Sequence, residues 1–139
     1  MRETVVIEKN IAVGADRAWA AIRAIGGLDR WFPIISGCRV EGEGVGAVRV
    51  LALKASGEMR DRIVEIVDEA KRLRYERTHH PFPVADYRGL VEIRGDGDAR
   101  SVLTWTIQFT VEPNARDAMA ELVGSAISDG IDGLERELR

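Results

Sequence analysis

The clearest hydrophobic pattern in the chain is an apolar stripe near its C-terminal end. Between Met119 and Leu138, apolar residues recur at helical spacing and charged residues occupy most of the positions between them. The stripe consists of Met119, Leu122, Val123, Ala126, Ile127, Gly130, Ile131, Leu134 and Leu138. It predicts one long amphipathic helix that covers a hydrophobic surface of the protein. Asn114 is the expected capping residue, because Asp117 follows it by three positions.

Glycine recurs within this predicted helix. Gly130 lies on the apolar stripe, and Gly124 and Gly133 are close to it. Each glycine costs about 1 kcal/mol relative to alanine in a helix interior. Glycine on the inner face would either leave room for a ligand or let a strand approach closely, and the sequence does not decide between the two.

The chain before this helix alternates between apolar and polar residues, which predicts strands. Residues 4–13 form the first strand, and helical spacing follows at 16–25 and, after a Gly-Gly pair, at 28–31. Turns rich in Gly, Pro and Asp then separate six further strands, near 35–41, 46–54, 58–67, 71–79, 85–94 and 100–111. Because these turns are short, an antiparallel meander is favoured.

The element order is therefore β–αα–β6–α, an α+β arrangement. We expect a curved antiparallel sheet wrapped around the long C-terminal helix. A chain of 139 residues suits one compact core, and no stretch has the composition of a linker or a repeat. Residues 1–139 are thus expected to form a single domain.

The alternation also predicts which side chains face the helix. In the last strand, one apolar face holds Leu103, Trp105, Ile107, Phe109 and Val111, so Trp105 is expected to be buried against the helix. The same parity turns polar side chains inward as well. In strand 58–67 they are Asp61 and Glu65, which alternate with the apolar residues Met59, Ile63 and Val67. In strand 71–79 they are Arg77 and His79, which follow Tyr75. In strand 85–94 the inward polar side chain is that of Tyr87.

Asp61 and Arg77 are the inward charges with the greatest consequence. An uncompensated charge in an apolar interior costs several kcal/mol. The two residues therefore pair with each other, orient the polar end of a ligand, or are turned to solvent by a β-bulge. If their strands are neighbours, we expect the carboxylate and guanidinium within about 4 Å of each other, or bridged by a ligand or water.

Composition and charge argue against several classes of protein. A net charge of −3 and a pI of about 5.5 are unfavourable for nucleic-acid binding. No apolar run approaches the roughly 20 residues that span a bilayer, and none is typical of a signal peptide. Because Cys38 is the only cysteine, no internal disulfide forms, and we expect a cytoplasmic protein.

Familiar catalytic motifs are missing from the sequence. It contains neither a G-x-S-x-G motif nor a phosphate-binding P-loop. His79 and His80 are adjacent at the end of a strand, so they project to opposite faces and make a poor chelating pair. We therefore expect no metal and no cofactor, and assign no catalytic residue.

Several stretches of the sequence resemble one known group of proteins. They are Ala18-Trp19, Trp31-Phe32-Pro33, Gly46-Ala47-Val48-Arg49, Asp61-Arg62-Ile63, Asp68-Glu69 before Leu73-Arg74-Tyr75, Tyr87, and Leu103-Thr104-Trp105. With the element order, they resemble the START-like (SRPBCC) superfamily and, within it, a bacterial polyketide cyclase/dehydrase-like branch. The resemblance covers nearly the whole chain. It implies a helix-grip fold with an internal cavity for a small hydrophobic or amphipathic molecule, as in lipid-binding members.

The leading hypothesis is a binding protein: a carrier, sensor or accessory factor for such a molecule. It predicts a pocket of roughly a few hundred cubic ångströms or more. The predicted ligand-binding residues are Trp31, Asp61, Tyr75, Arg77, Tyr87, Trp105, Met119, Val123 and Ile127. Trp31 and Phe32 either form the cavity rim or fill the core. The turns 55–57 and 81–84 resemble by position the gating loops of hormone-receptor members, so we expect them to flank the entrance and to be mobile.

Two other functions stay open. A cyclase, aromatase or dehydratase acting on a polyketide-like or other carbonyl substrate would need at least two of Asp61, His79, Tyr87 and Arg77 to converge. A module that modulates a partner protein would show a broad exposed apolar patch beside the cavity. The sequence indicates no nucleic-acid partner and is compatible with a homodimer.

Overall fold

The computed structural model describes residues 1–139, and its elements follow the predicted order. The strands are β1 (Arg2–Ile11), β2 (Ile35–Glu41), β3 (Val48–Leu53), β4 (Glu58–Val67), β5 (Arg72–His79), β6 (Val84–Gly95) and β7 (Ser101–Val111). The helices are α1 (Ala15–Arg23) and α2 (Leu28–Trp31), between β1 and β2, and α3 (Arg116–Leu138) after β7. None of the helices has both the length and the apolar character required to cross a membrane.

All seven strands form one antiparallel sheet in the order β1-β7-β6-β5-β4-β3-β2. Strands β2 to β7 are the predicted meander, and β1 joins it beside β7. The sheet is curved and α3 packs on its inner face, which is the helix-grip arrangement. The core therefore lies between this face and the helices.

Asn114 does not cap α3, contrary to the prediction. Pro113–Ala115 form a single 3-10 turn, and α3 begins only at Arg116 without a side-chain cap. The tighter turn replaces the cap as the start of the helix. Asp117, in the first turn, still complements the helix dipole.

A bulge between Ile63 and Glu65 reverses the alternation in the second half of β4. Ile63 is fully buried, but beyond the bulge it is Ile66 rather than Val67 that packs against the core. Glu65 points outward, where it pairs with two arginines of β5. The predicted inward positions of Glu65 and Val67 were wrong, because one inserted residue exchanges the two faces.

A second bulge lies between Arg60 and Asp61 at the other end of the same pairing. It sets His79 opposite Arg60, and the His79 side chain is exposed. The inward position predicted for His79 was therefore wrong. His80, the next residue, turns toward the interior instead.

The aromatic part of the core is built around Trp105. Its side chain is 2% exposed, so the predicted burial is confirmed. The ring of Phe32 meets it edge-on, with 5.5 Å between ring centroids. The Phe32 ring also lies against Gly130, where a β-carbon would overlap it. Gly130 thus makes room for Phe32, and not for a ligand or a strand.

The C-terminal half of α3 is attached to the rest of the protein by polar contacts. They join Asp132 to Lys9, Glu135 to the backbone N–H of Ala12, and Glu137 to Arg30 and Trp31. At Gly133 the backbone of Trp31 lies so close that any β-carbon would overlap its carbonyl oxygen. By contrast, residues 119–127 contact the sheet and α2 through apolar side chains.

Candidate ligand-binding site

A cavity lies between the inner face of the sheet and the N-terminal half of α3. It has a volume of about 60 Å³ and is lined by 18 residues, 16 of them hydrophobic. The sheet contributes Ile35, Leu51, Met59, Tyr75, Arg77, Val84, Tyr87 and Trp105; α3 contributes Met119, Leu122, Val123, Ala126 and Ile127; and Leu28, Phe32, Ile34, His80 and Phe82 complete the wall. The two residues of the wall that are not hydrophobic are Arg77 and His80.

The cavity is much smaller than the pocket predicted from the sequence. Phe32, Phe82 and Trp105 fill space that smaller side chains would leave open. A cavity of roughly 150 Å³ holds a benzene molecule, so the cavity of this structure has no room for one. An organic ligand therefore fits only after side chains of the wall have moved. Met59 and Met119 are well suited to such movement, because methionine has several rotatable bonds.

The mouth of the cavity is marked by two partly exposed hydrophobic side chains. Ile34 is 39% exposed and Leu122 is 42% exposed, and both line the cavity. The β5–β6 loop contributes Phe82 and Val84 to the cavity wall, and the position of turn 81–84 at the entrance stays a prediction. The turn 55–57 contributes no lining residue and lies beside Pro81 through Gly57. The mobility of both turns stays a prediction.

Next to the cavity wall, Asp61 is bound by two arginines. Nε of Arg77 donates to Oδ1 of Asp61 at 2.8 Å, and Nη2 of Arg49 donates to Oδ2 at 2.9 Å. Burial by itself would raise the pKa of Asp61, but the charges of Arg77 and Arg49 outweigh it and hold the pKa below its usual range. The expected contact between Asp61 and Arg77 is confirmed, within a cluster of three charges.

Arg49 is the member of this cluster that the sequence analysis missed. It lies directly opposite Asp61 in the β3–β4 pairing, and its Nη1 donates to the carbonyl oxygen of Ile25 at 3.0 Å. The next two residues, Val50 and Leu51, are also buried, so β3 lacks the alternation that would have marked Arg49 as inward-facing. The one feature that could have predicted the inward orientation of Arg49 is its position across from the carboxylate of Asp61.

Two tyrosines connect the charged cluster with the cavity. The hydroxyl of Tyr75 accepts a hydrogen bond from Nε1 of Trp105 at 3.1 Å, and Gly89 leaves the space that the Tyr75 ring occupies. The guanidinium carbon of Arg77 lies 4.3 Å from the ring centroid of Tyr87. Arg77 is therefore held by Asp61 on one edge and by an aromatic face.

Seven of the nine residues predicted to bind a ligand line the cavity: Tyr75, Arg77, Tyr87, Trp105, Met119, Val123 and Ile127. Asp61 and Trp31 do not. Asp61 is enclosed by its arginines, and Trp31 is a core residue whose Nε1 donates to Glu137 at 3.0 Å. Phe32, the neighbour of Trp31, reaches the cavity instead. Contact of the seven lining residues with a ligand stays a prediction.

Of the four groups suggested for acid–base chemistry, only Arg77 and Tyr87 meet at the cavity. Burial raises the pKa of Tyr87 far above its ordinary value, and the pKa of Arg77 is raised because Asp61 outweighs the effect of burial. His80 also lines the wall. Burial and the charge of Arg77 lower its pKa, and its Nδ1 accepts the backbone N–H of Phe82 at 3.2 Å. No three His, Cys, Asp or Glu side chains lie where they could hold a metal ion.

Solved structures of other proteins share this fold. The chain is similar to an uncharacterised protein from Bacillus thuringiensis, with 22% identity, 98% of both chains covered and a TM-score of 0.86. It is also similar to the protein XoxI from Bacillus cereus, with 21% identity, 97% and 94% of the chains covered and a TM-score of 0.86. A point mutant of norcoclaurine synthase from Thalictrum flavum, in complex with a transition-state analogue, shares 14% identity over 99% of this chain and 94% of that one, with a TM-score of 0.81. At these identities the likeness shows the fold alone.

A comparison with family descriptions is more specific. Curated proteins provide no match to the chain. The family described as "Polyketide cyclase / dehydrase and lipid transport", however, matches residues 2–139. The match covers every element of the fold, from β1 to α3. The chain therefore belongs to the polyketide cyclase/dehydrase and lipid transport family of the START-like superfamily.

Proposed function

We propose that the chain binds a small hydrophobic or amphipathic molecule in the cavity beneath α3, as a carrier, sensor or accessory factor. The observation that carries the proposal is the cavity wall, in which 16 of 18 residues are hydrophobic. Ligand sites are typically concave, mainly apolar and supplied with a few polar groups, which here are Arg77 and His80. The family description, which includes lipid transport, supports the same class of ligand.

Binding requires the cavity to grow beyond its volume of about 60 Å³. The side chains placed to give way are those at the mouth, Phe82 and Leu122, together with Met119. Residues 119–127 of α3 are held by apolar contacts, so that half of the helix can shift without breaking hydrogen bonds to the sheet. We therefore expect the ligand to take over contacts that these side chains make with one another when no ligand is bound.

The proposal is tested with N-phenyl-1-naphthylamine, an uncharged probe whose fluorescence rises in apolar surroundings. The wild-type protein is expected to bind it saturably. Ala126→Phe places a ring in the cavity and should weaken binding strongly. Ala118→Phe makes the same change on an exposed position of α3 and should leave binding unchanged. The absence of saturable binding to wild type, or equal binding by both variants, would contradict an internal site.

The natural ligand is then identified by native mass spectrometry of protein purified from its own host. A bound species that Ala126→Phe loses and Ala118→Phe retains would be assigned to the cavity. This pair of variants separates a cavity ligand from a molecule that adheres to the surface during purification.

The alternative functions have weaker support. A cyclase, aromatase or dehydratase would have to work with Tyr87, Arg77 and His80, because Asp61 is enclosed and His79 points outward. A module that modulates a partner protein would present a broad apolar patch, whereas only Ile34 and Leu122 are large exposed hydrophobic residues beside the mouth. The cytoplasmic location, the lack of a nucleic-acid partner and a homodimer stay predictions.

A further inference from the structure

The buried cluster of Arg49, Asp61 and Arg77 contains one more positive charge than negative charge. The three side chains are 3%, 0% and 10% exposed, respectively. Asp61 is the only acidic residue that pairs with either arginine. A charge without a counter-charge is unfavourable in such surroundings. The cluster therefore lacks one negative charge.

The positive charge without a counter-charge is assigned to Arg77. All three nitrogens of the Arg49 guanidinium donate hydrogen bonds, two to Asp61 and the third to the carbonyl oxygen of Ile25. Arg77 donates to Asp61 through Nε and Nη2, and its Nη1 donates to no protein acceptor. Every fully enclosed polar side-chain atom of the protein has a hydrogen-bond partner. Nη1 of Arg77 is therefore not fully enclosed by the protein.

Arg77 is also the member of the cluster that lines the cavity. Its guanidinium carbon lies 4.3 Å from the ring centroid of Tyr87 and 5.9 Å from that of Tyr75. With Asp61 bound to one edge of the guanidinium, these rings fix the direction of its other edge. Little conformational entropy remains to be lost when an acceptor binds there.

We infer that the cavity is specific for molecules that carry a carboxylate, which binds the unoccupied edge of Arg77 while an alkyl or aryl group occupies the apolar part. The inference rests on the proposed function and names the class of ligand. A carboxylate would supply the missing negative charge and accept charge-assisted hydrogen bonds from the guanidinium. A neutral carbonyl group would satisfy Nη1 but leave the charge of the cluster uncompensated.

The test compares hexanoate with hexanamide, which have nearly the same shape and differ in charge. At neutral pH, isothermal titration calorimetry is expected to show at least about tenfold tighter binding of hexanoate to the wild-type protein. Arg77→Met should remove the preference by weakening hexanoate binding much more than hexanamide binding, because only the carboxylate loses a counter-charge as well as a hydrogen bond. Arg74→Met removes an arginine of the same strand whose side chain is 48% exposed and paired with Glu65. It should retain the wild-type preference.

The possible outcomes separate a failure of the inferred ligand class from a failure of the proposed function. Equal affinity for hexanoate and hexanamide overturns the inference and leaves an apolar binding site in place. A preference that survives Arg77→Met overturns it too, because the carboxylate would then bind elsewhere. Binding of N-phenyl-1-naphthylamine without binding of hexanoate or hexanamide also overturns the inference. If neither the naphthylamine nor the hexanoic compounds bind, the proposed function itself is wrong.

Discussion

Nη2 of Arg49 lies 2.9 Å from Oδ2 of Asp61, in a part of the core where neither side chain is more than 3% exposed. Arg77 binds the other oxygen of the same carboxylate. Asp61 therefore has a greater weight in stability than either arginine, because its removal leaves two unpaired buried charges and removal of one arginine leaves a neutral pair.

Asp61→Asn is expected to destabilise the protein more than Arg49→Met. The first change leaves two buried cations without a carboxylate and should cost about 3–5 kcal/mol in the free energy of unfolding. The second leaves the neutral pair of Arg77 and Asp61 and should cost clearly less. Urea denaturation measures both. Equal losses would show that burial and packing, and not the charge count, determine the stability of the cluster.

Gly124→Ala and Gly133→Ala are expected to change stability in opposite directions. Alanine is favoured over glycine in a helix interior by about 1 kcal/mol. At Gly124 the added β-carbon would lie 3.7 Å from a methyl carbon of Val5, an ordinary contact, so the variant should be more stable. At Gly133 it would overlap the carbonyl oxygen of Trp31 and push α2 away from α3. A thermally stable Gly133→Ala variant would contradict this close contact.

The stability of the protein should decrease in mild acid through His80. Burial and the charge of Arg77 lower the pKa of His80 in the folded protein, so its stabilising contribution is present above the unfolded pKa of about 6.5. That contribution is lost as the pH falls through the folded pKa. Protonation would also occupy Nδ1, which now accepts the N–H of Phe82.

The measurement is the thermal midpoint between about pH 7 and pH 5, the range in which histidine titrates. Wild type should lose more stability over this range than His80→Gln. His79→Gln removes an exposed imidazole instead and should follow wild type. Parallel curves for wild type and His80→Gln would exclude His80 as the source of the acid sensitivity.

Phe82→Ala is expected to speed access to the cavity. The partly buried Phe82 side chain lines the cavity from the β5–β6 loop, so its removal should raise the association rate of N-phenyl-1-naphthylamine in stopped-flow fluorescence. Val45→Ala provides the control, because Val45 is 61% exposed in a loop that contributes no cavity residue. An unchanged association rate in Phe82→Ala would mean that ligands enter elsewhere.

Much of the fold could be predicted because its elements have strong local patterns. The bounds of β2 agree with the sequence prediction, and the alternation in β7 correctly buried Trp105. Alternation fails where the backbone departs from regular pairing. The bulge after Ile63 adds one residue without any change in composition, and this exchanged the faces assigned to Glu65 and Val67.

The candidate site was harder to predict, because its properties depend on contacts between distant segments. Arg49 becomes a partner of Asp61 only once β3 and β4 are in register. The volume of the cavity depends on the orientation of Phe32, which in turn depends on the missing side chain of Gly130 on α3. Neither relation is visible in the pattern of one strand or helix.

The uneven attachment of α3 has a mechanical consequence. Gly133 and the polar contacts around it fix the C-terminal half, whereas residues 119–127 rest on side chains whose apolar contacts have no preferred direction. Helix α3 would therefore rotate about a fixed point near Gly133. A molecule that lifts the N-terminal half by a small angle would displace the exposed residues 116–118 the furthest and stretch the ion pair between Arg116 and Glu3 of β1, so the surface of the protein would report whether its interior is filled.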